Sequence, residues 1–505
     1  MLSIIRSRWL LKRSSCTVRL YRNIAASNST QLKPTILEIH NQPPPTNQIL
    51  ETQGHVKSIR KFKKVGFLDI NDGSIYQGLN IVLKDPNSQS LPELKVGQSI
   101  KVKGDWIESK GKQSYELIYD DKNPKHELTI VGDVASDYPL QKKETTMQNL
   151  RLYPSLRHRT STLSSFLRLR SFLETKFMEF FNSKSFTKVT PPIITSSDCE
   201  GAGEVFKVEP VVNKGGDDGK ETEKFFGKDA YLTVSTQLHL EALTIGLNRA
   251  WTLTPCFRAE NSNTSRHLCE FWMLEAEICY IDDLKQLTNF TEDMVRYVTE
   301  ALVEGTGAIT TKFESGNGND LLGASYGTAN EIIKKRWDAL LTSDRWPSMT
   351  YTEAVEYLNK NHLPSVEQLT WGESLQLKHE KLLAKESPIF ITDYPSSLKP
   401  FYMLKSKDCD PTKPTVACFD LLIPDFGELA GGSLREHDYD TLVRDMKRYN
   451  MNIEDMEWYL TLRKNGTVPH GGFGLGFERL MIYLVGHENV KDIAAFPRAP
   501  QVCSC

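Results

Sequence analysis

Between residues 49 and 133, apolar and polar positions alternate in short runs: HVKSIRKF, VGFLDIND, YQGLNIVL, QSIKVKGDWIES and QSYELIYD. Turn-forming stretches DGS, DPNS and SKGK separate them. Period-two alternation bounded by such residues predicts five short strands, enough to close a small Greek-key barrel. The texture then changes. Residues 134–160 read as a linker, basic near its end. From Thr162 to Phe181 the apolar residues Leu163, Phe166, Leu167, Leu169, Phe172, Leu173, Phe177, Phe180 and Phe181 recur at helical spacing. A strand, SFTKVT, follows and is stopped by Pro191-Pro192. Residues 213–228 form a polar, glycine-containing excursion, and 284–385 are mainly helical. Strand signals return at SPIFITDYP, FYML and ACFDLLI before a glycine-rich turn, a helix and FPRAP.

One stretch, from Cys256 to Glu277, combines alternation with charge. From His267 onward, His267, Cys269, Phe271, Met273, Glu275 and Glu277 share one face of an extended strand, against Leu268, Glu270, Trp272, Leu274 and Ala276 on the other. A solvated face has no need of a phenylalanine and a methionine, and a core face cannot accept two carboxylates without partners. Two readings remain: the floor of a ligand site, or a buried ion-pair strand.

Composition narrows the setting. The 505 residues are long enough for two or three domains, and 62 basic against 64 acidic side chains leave no bulk attraction to nucleic acid, so any RNA surface must be local. One such patch is the run of Arg60, Lys61, Lys63 and Lys64 around Phe62 and Phe67. Cations for phosphates beside aromatics for bases suit a single-stranded RNA on an OB-fold barrel; a solvated strand edge explains them equally well. No run of 18 apolar residues occurs, which predicts no membrane span. Nine cysteines without a CxxC pair argue against structural zinc. Residues 1–37 carry seven basic residues and no acid, interleaved with Ile4, Ile5, Trp9, Leu10 and Leu11, the composition of a mitochondrial transit peptide and hence of a matrix protein.

FRAENSNTSRHLCEF resembles motif 2 of the class II aminoacyl-tRNA synthetases, in the form used by the subgroup with an N-terminal OB fold that charges aspartate, asparagine and lysine. GGFGLGFERLMIYLVG resembles motif 3, and FTKVTPPII resembles motif 1. The resemblance implies an α+β architecture: a five-stranded OB-fold barrel (45–133) that binds the anticodon, then a catalytic domain (161–505) whose six- or seven-stranded antiparallel sheet is flanked by helices, with a helical insertion at about 284–385.

It also implies site residues. Arg258 would bind the ATP α-phosphate and the substrate carboxylate, with Glu260 beside it; Arg266 and His267 would meet the γ-phosphate end. Phe271 would stack under adenine, Arg479 would cover the other face, and Gly476 would let the backbone approach the nucleotide. Asp420 and Glu428 match positions that hold Mg2+. Glu200, Gln237, Arg258, Glu275 and Arg435 match the amino-acid pocket, Phe67 and Gln77 the anticodon surface, and Pro192 a homodimer interface. Within the subgroup, Glu275 and the wording GGSLRE resemble the asparagine enzymes, and Leu240 stands where aspartate enzymes carry a lysine. The expected activity is therefore ATP-dependent activation of asparagine and its transfer to tRNA(Asn). The alternatives are an aspartate or relaxed-specificity ligase, and a non-catalytic RNA-binding or free-asparagine-forming derivative.

Overall fold

The computed structural model describes residues 32–109, 111, 113–141, 145–196, 205–210, 224–304, 328–407 and 409–505. Two compact units divide the chain near Tyr138.

In the first unit the five predicted strands form: β1 (Gln48–Lys61), β2 (Gly66–Asn71), β3 (Leu79–Leu83), β4 (Ser99–Glu108) and β5 (Tyr115–Tyr119). β1 pairs with both β2 and β4, and β3 with both β2 and β5, so the circle β1-β2-β3-β5-β4 closes on itself. Closure removes the open edges that a small sheet would otherwise expose. The inward positions Leu68, Ile70, Ile81, Ile100, Val102, Trp106 and Leu117 are fully buried. A sixth strand, β6 (Glu127–Gly132), pairs with β4 outside the five expected. The unit also starts earlier than composition suggested. A helix, α1 (Ile36–Asn41), opens with a capping box between Thr35 and Glu38. Ile36 is fully buried, its N–H donates to Asp72 at 2.8 Å, and the Leu37 N–H donates to Ser74 at 3.0 Å. Lys33–Leu37, assigned by composition to the leader, are thus described here with the barrel; residues 1–31, the bulk of the transit-peptide expectation, lie outside the described residues.

The second unit is built on an eight-stranded sheet, and its long helix α2 (Ser161–Ser183) forms over the predicted range behind the N-cap Thr160. The strands are β7 (Thr187–Lys188), β10 (Arg249–Phe257), β11 (Glu270–Cys279), β12 (Ser348–Thr350), β13 (Ile389–Pro395), β14 (Thr415–Ile423), β15 (Gly427–Leu434) and β16 (His470–Gly476), while β8 (Ile194–Thr195) and β9 (Tyr231–Leu232) form a separate small ribbon. Spatial order is β12-β13-β14-β15-β16-β11-β10-β7. The six central strands are antiparallel as expected, but the edge pairs β12–β13 and β10–β7 are parallel, so the sheet is mixed. FYML is not a strand; of it only Met403 bridges to the sheet, opposite Arg435. Helix α2 packs by stacking Phe181 on Trp251 of β10 at 4.5 Å. The remaining helices of seven residues or more are α3 (Gln237–Leu247), α4 (Leu284–Val303), α5 (Thr328–Leu340), α6 (Tyr351–Asn361), α7 (Leu377–Leu383), α8 (Tyr439–Arg448), α9 (Glu457–Lys464) and α10 (Phe477–Leu484). Among the described residues no helix is long and apolar enough to cross a membrane.

Register across the sheet places the chemistry. Asp420 pairs with Gly431, Gly431 with Gly474, Gly474 with Glu275, and Glu275 with Thr252, a single transverse row over five strands. Glycines at the middle of the row leave a hollow between the two carboxylates.

Candidate functional site

Two cavities, of about 850 and 910 Å3, open on this face and share Arg258, Met273, Glu428 and Gly474 as walls.

The first is lined by Arg258, Glu260, Arg266, His267, Phe271, Glu428, Gly476 and Arg479, which brings together every residue expected at the nucleotide. The strand face predicted from alternation is its floor: Phe271 and Met273 point into it. The Arg258 guanidinium lies 5.5 Å from the Phe271 ring centre, and that of Arg266 lies 4.6 Å from the ring of Phe426. The buried Nε of Arg266 has no hydrogen-bond partner among the described residues. Arg479 approaches Glu428 through its carbonyl at 3.4 Å and its carboxylate at 3.5 Å. His267 Nδ1 lies 2.6 Å from Thr264 Oγ1; burial first, then the positive charge of Arg479, push the imidazole below its ordinary value, against the pull of Glu260.

The second cavity is lined by Gln237, Leu240, Glu275, Glu277, Lys399, Tyr402, Asp420 and Arg435. Here each charge already has a partner. Glu275, 4% exposed, accepts from the hydroxyls of Ser235 and Thr236 and from the Thr236 N–H at 3.1 Å, at the start of α3. Burial pushes its carboxyl up, while those donors and Arg435 hold it down. Arg435 is not an open fork. It is gripped bidentately by Glu277, Nε to Oε1 at 3.1 Å and Nη2 to Oε2 at 3.0 Å, and donates to Ser433 Oγ at 2.7 Å. Gly472 makes this pairing possible, because a Cβ there would overlap the Glu277 carboxylate. Behind it lies a network centred on the fully buried Glu241, which accepts from Arg463 at 2.8 Å, Tyr459 at 2.7 Å and the half-buried Gln237 at 3.0 Å, with His470 Nε2 at 3.1 Å. Burial pushes the Glu241 carboxyl up, but Arg463, His470 and Arg435 bring it net well below its usual range. Glu241, Glu277 and His470 are close enough to share a metal, yet Glu241 and Glu277 are already occupied by guanidinium groups.

The cation missing at Leu240 is supplied by another segment: Lys399 lines the cavity, but donates to both Asp420 oxygens at 2.9 and 2.8 Å. Burial and the nearby Glu428 raise the Asp420 carboxyl, and Lys399 opposes them. Burial alone would raise Glu428; Arg479, Lys399, Arg258 and Arg266 together take it below its ordinary value. The point where a Cβ on Gly431 would sit is 3.2 Å from Asp420 Oδ1 and 3.6 Å from Glu428 Oε1, so two hard oxygen donors converge in the second cavity, at the Glu428 wall it shares with the first. Lys399 already holds both Asp420 oxygens, so Glu428 is the more open donor of the two for Mg2+, which takes one or two carboxylates and completes its shell with water and phosphate.

Of the remaining expected residues, Glu200 lies outside the described residues. Pro192 is exposed, followed by Ile193 and Ile194 at 37% and 40% exposure. In the barrel Phe67 is half-buried on β2, with Arg60 5.8 Å from its ring and Phe62 edge-on at 6.1 Å; Gln77 lies in the β2–β3 connection. Sequence reasoning missed Glu277 as the partner of Arg435, and also Lys399, Ser235 and Thr236. Alternation did flag Glu277 as a second carboxylate in need of a cation, and nothing in the chain order named Arg435 as that cation.

Residues 146–500 match the family described as tRNA synthetases class II (D, K and N), and residues 51–124 match the OB-fold nucleic acid binding domain. The chain is 44% identical to the mitochondrial asparagine–tRNA ligase of Saccharomyces cerevisiae over 93% of its own length and 96% of that protein's. It is 41% identical to the mitochondrial asparagine–tRNA ligase of Schizosaccharomyces pombe, covering 94% and 98%. The crystal structure of asparaginyl-tRNA synthetase from Pyrococcus horikoshii complexed with asparaginyl-adenylate superposes with a TM-score of 0.77 at 28% identity, covering 94% of this chain and all of that one.

Proposed function

The chain belongs to the class II tRNA synthetases of the D, K and N group, and from that premise we propose that it is a mitochondrial asparagine–tRNA ligase. In the first step the asparagine carboxylate attacks the α-phosphorus of ATP, giving asparaginyl-adenylate and pyrophosphate. In the second, the acyl group passes to the terminal adenosine of tRNA(Asn).

Adenylation demands positioning and charge neutralisation more than covalent help from the protein. Arg258 borders both cavities, so it stands where a substrate carboxylate and an α-phosphate would meet. Arginine suits that place because its planar fork stays charged and grips oxyanions in pairs. Phe271 and Arg479 bracket an adenine, and Arg266 with His267 receive the distal phosphates. Glu428, with Asp420 beside it, would hold Mg2+, which supplies further neutralisation of phosphate charge. Gln237, Glu275 and Arg435 line the amino-acid pocket, with Glu200 on a loop in front.

The observation that carries the substrate assignment is the pairing of charge in the second cavity. Lys399 is matched by Asp420, Arg435 by Glu277, and Glu275 adds a further carboxylate. An anionic side chain would enter without an uncommitted lysine to receive it, whereas an amide can donate to one oxygen-rich wall and accept from Arg435. Pyrophosphate exchange tests this: asparagine should support it and aspartate should not, and vigorous exchange with aspartate alone would overturn the assignment.

The barrel is the anticodon-binding domain, with Phe67 stacking on a base and Gln77 reading a neighbouring edge; residues 134–160 link it to the catalytic domain. Pro192 and the exposed Ile193 and Ile194 form part of a homodimer interface. The cationic stretch ahead of the docked Lys33–Leu37 directs the protein to the mitochondrial matrix.

A further inference from the structure

The stretch 284–385 contains none of the family motifs, yet α7 within it reaches residues that line the first cavity. Glu380, the fourth residue of α7, accepts the Glu428 N–H on Oε2 at 3.1 Å. Its carboxylate also faces Arg266 and lies close enough to Asp420 for the two charges to repel. Gly427, at φ +94°, permits this approach. A Cβ at that position would collide with Glu380 Oε2 and would lie 3.5 Å from Arg266 Nη2, so the carboxylate and the guanidinium crowd the same point over the turn. A third carboxylate beside Glu428 and Asp420 costs energy unless it does something for its neighbours; burial and those two charges raise the Glu380 carboxyl, and Arg266 and the Glu428 N–H lower it.

We infer that Glu380 is a positioning residue for the nucleotide: it fixes the backbone of Glu428 and orients Arg266, so that the inserted segment sets the geometry of the polyphosphate end of the site. The inference rests on the ligase reading above. It assigns the helical segment a part in ATP binding, because Arg266, which Glu380 faces, lines the first cavity and not the second.

The test is Glu380→Gln and Glu380→Ala in the full-length protein, read by pyrophosphate exchange and by melting with and without ATP. Glutamine keeps an acceptor for the Glu428 N–H but removes the charge that faces Arg266. For Glu380→Gln the KM for ATP should rise about 5- to 20-fold, the scale of removing one unit charge from the neighbourhood of Arg266, with the KM for asparagine within twofold of the parent. ATP-induced stabilisation should shrink in step, which is a readout independent of turnover. Glu380→Ala should show the same split more strongly. The inference is overturned if the KM for ATP does not move in Glu380→Gln, or if both KM values and the ligand-free melting temperature shift together. If the parent protein itself shows no asparagine-dependent exchange, the ligase reading fails instead, and the ATP-induced melting shift still decides the role of Glu380.

Discussion

Replacing Glu277 with glutamine should erode discrimination between asparagine and aspartate. Arg435 and Glu277 are 3% and 1% exposed and meet through two hydrogen bonds, so the guanidinium charge is cancelled at contact distance. Glutamine preserves shape and one acceptor but leaves Arg435 with more distant carboxylates for counter-charge, Glu241 at 3.9 Å from its Nε and Glu275. Two unit charges about 4 Å apart at an effective dielectric near 20 interact by about 4 kcal/mol. If a third to a half of that becomes available to an incoming carboxylate, relative kcat/KM for aspartate over asparagine should rise about 10- to 30-fold. The same change breaks a buried pair from one side, worth roughly 3 kcal/mol when one hydrogen bond survives. In a catalytic unit of this size that corresponds to a melting temperature lower by roughly 5 °C. Exchange rates with each amino acid, with melting curves on the same preparations, give both numbers. A variant that melts lower but keeps the parental ratio would show that the Glu277–Arg435 pair is structural and does not set the charge preference.

Other expectations follow from the same geometry. Glu428→Gln should raise the Mg2+ concentration for half-maximal exchange more than Asp420→Asn does, because Lys399 already occupies both Asp420 oxygens; the opposite order in a magnesium titration would refute this. Phe67→Ala should raise the KM for tRNA(Asn) about 5- to 150-fold, the 1–3 kcal/mol of one stacked base, while leaving pyrophosphate exchange intact. Asp69 is the pH-sensitive group of the barrel: burial, opposed by Lys57 and Arg60, raises its carboxyl to about 6. A native-state value above the ordinary one means that the folded form binds more protons, so its contribution to stability falls as pH rises from about 4 to about 6 and the penalty persists above that. Asp69→Asn should therefore slow hydrogen exchange of the β2 amides at pH 7.5 by an amount equivalent to about 1–2 kcal/mol and have no effect near pH 4.

The chain order made some of this legible and hid the rest for physical reasons. Period-two alternation is local, so the five barrel strands and the face carrying Phe271, Met273, Glu275 and Glu277 could be read directly. The helix over Ser161–Ser183 was equally plain because its apolar stripe persists for six turns. β6 escaped notice because its alternating side chains are mostly exposed, so hydrophobicity does not mark it. β7 falls inside the predicted strand SFTKVT, though its parallel pairing with β10 is not local; β12 is only three residues long, too short to carry a period. Charge pairing is non-local. Arg435 and Glu277 are separated by 158 positions and Arg463 and Glu241 by 222, and only tertiary structure brings them together, through the sheet for the first pair and the packing of α9 near α3 for the second. Lys399 and Glu380 sit in stretches without motif residues, so nothing near them in the chain announces what they touch.

The docked helix at the front of the barrel bears on how the protein can be made in the laboratory. Composition invites trimming at residue 38, just after the last uncharged leader-like position. Such a cut would delete Ile36 from the barrel's apolar floor, take away the backbone donors of Asp72 and Ser74, and leave Glu38 without the threonine it caps. A recombinant chain begun ahead of Lys33 keeps that plug seated, and preparations started downstream should clump or clip at the exposed end.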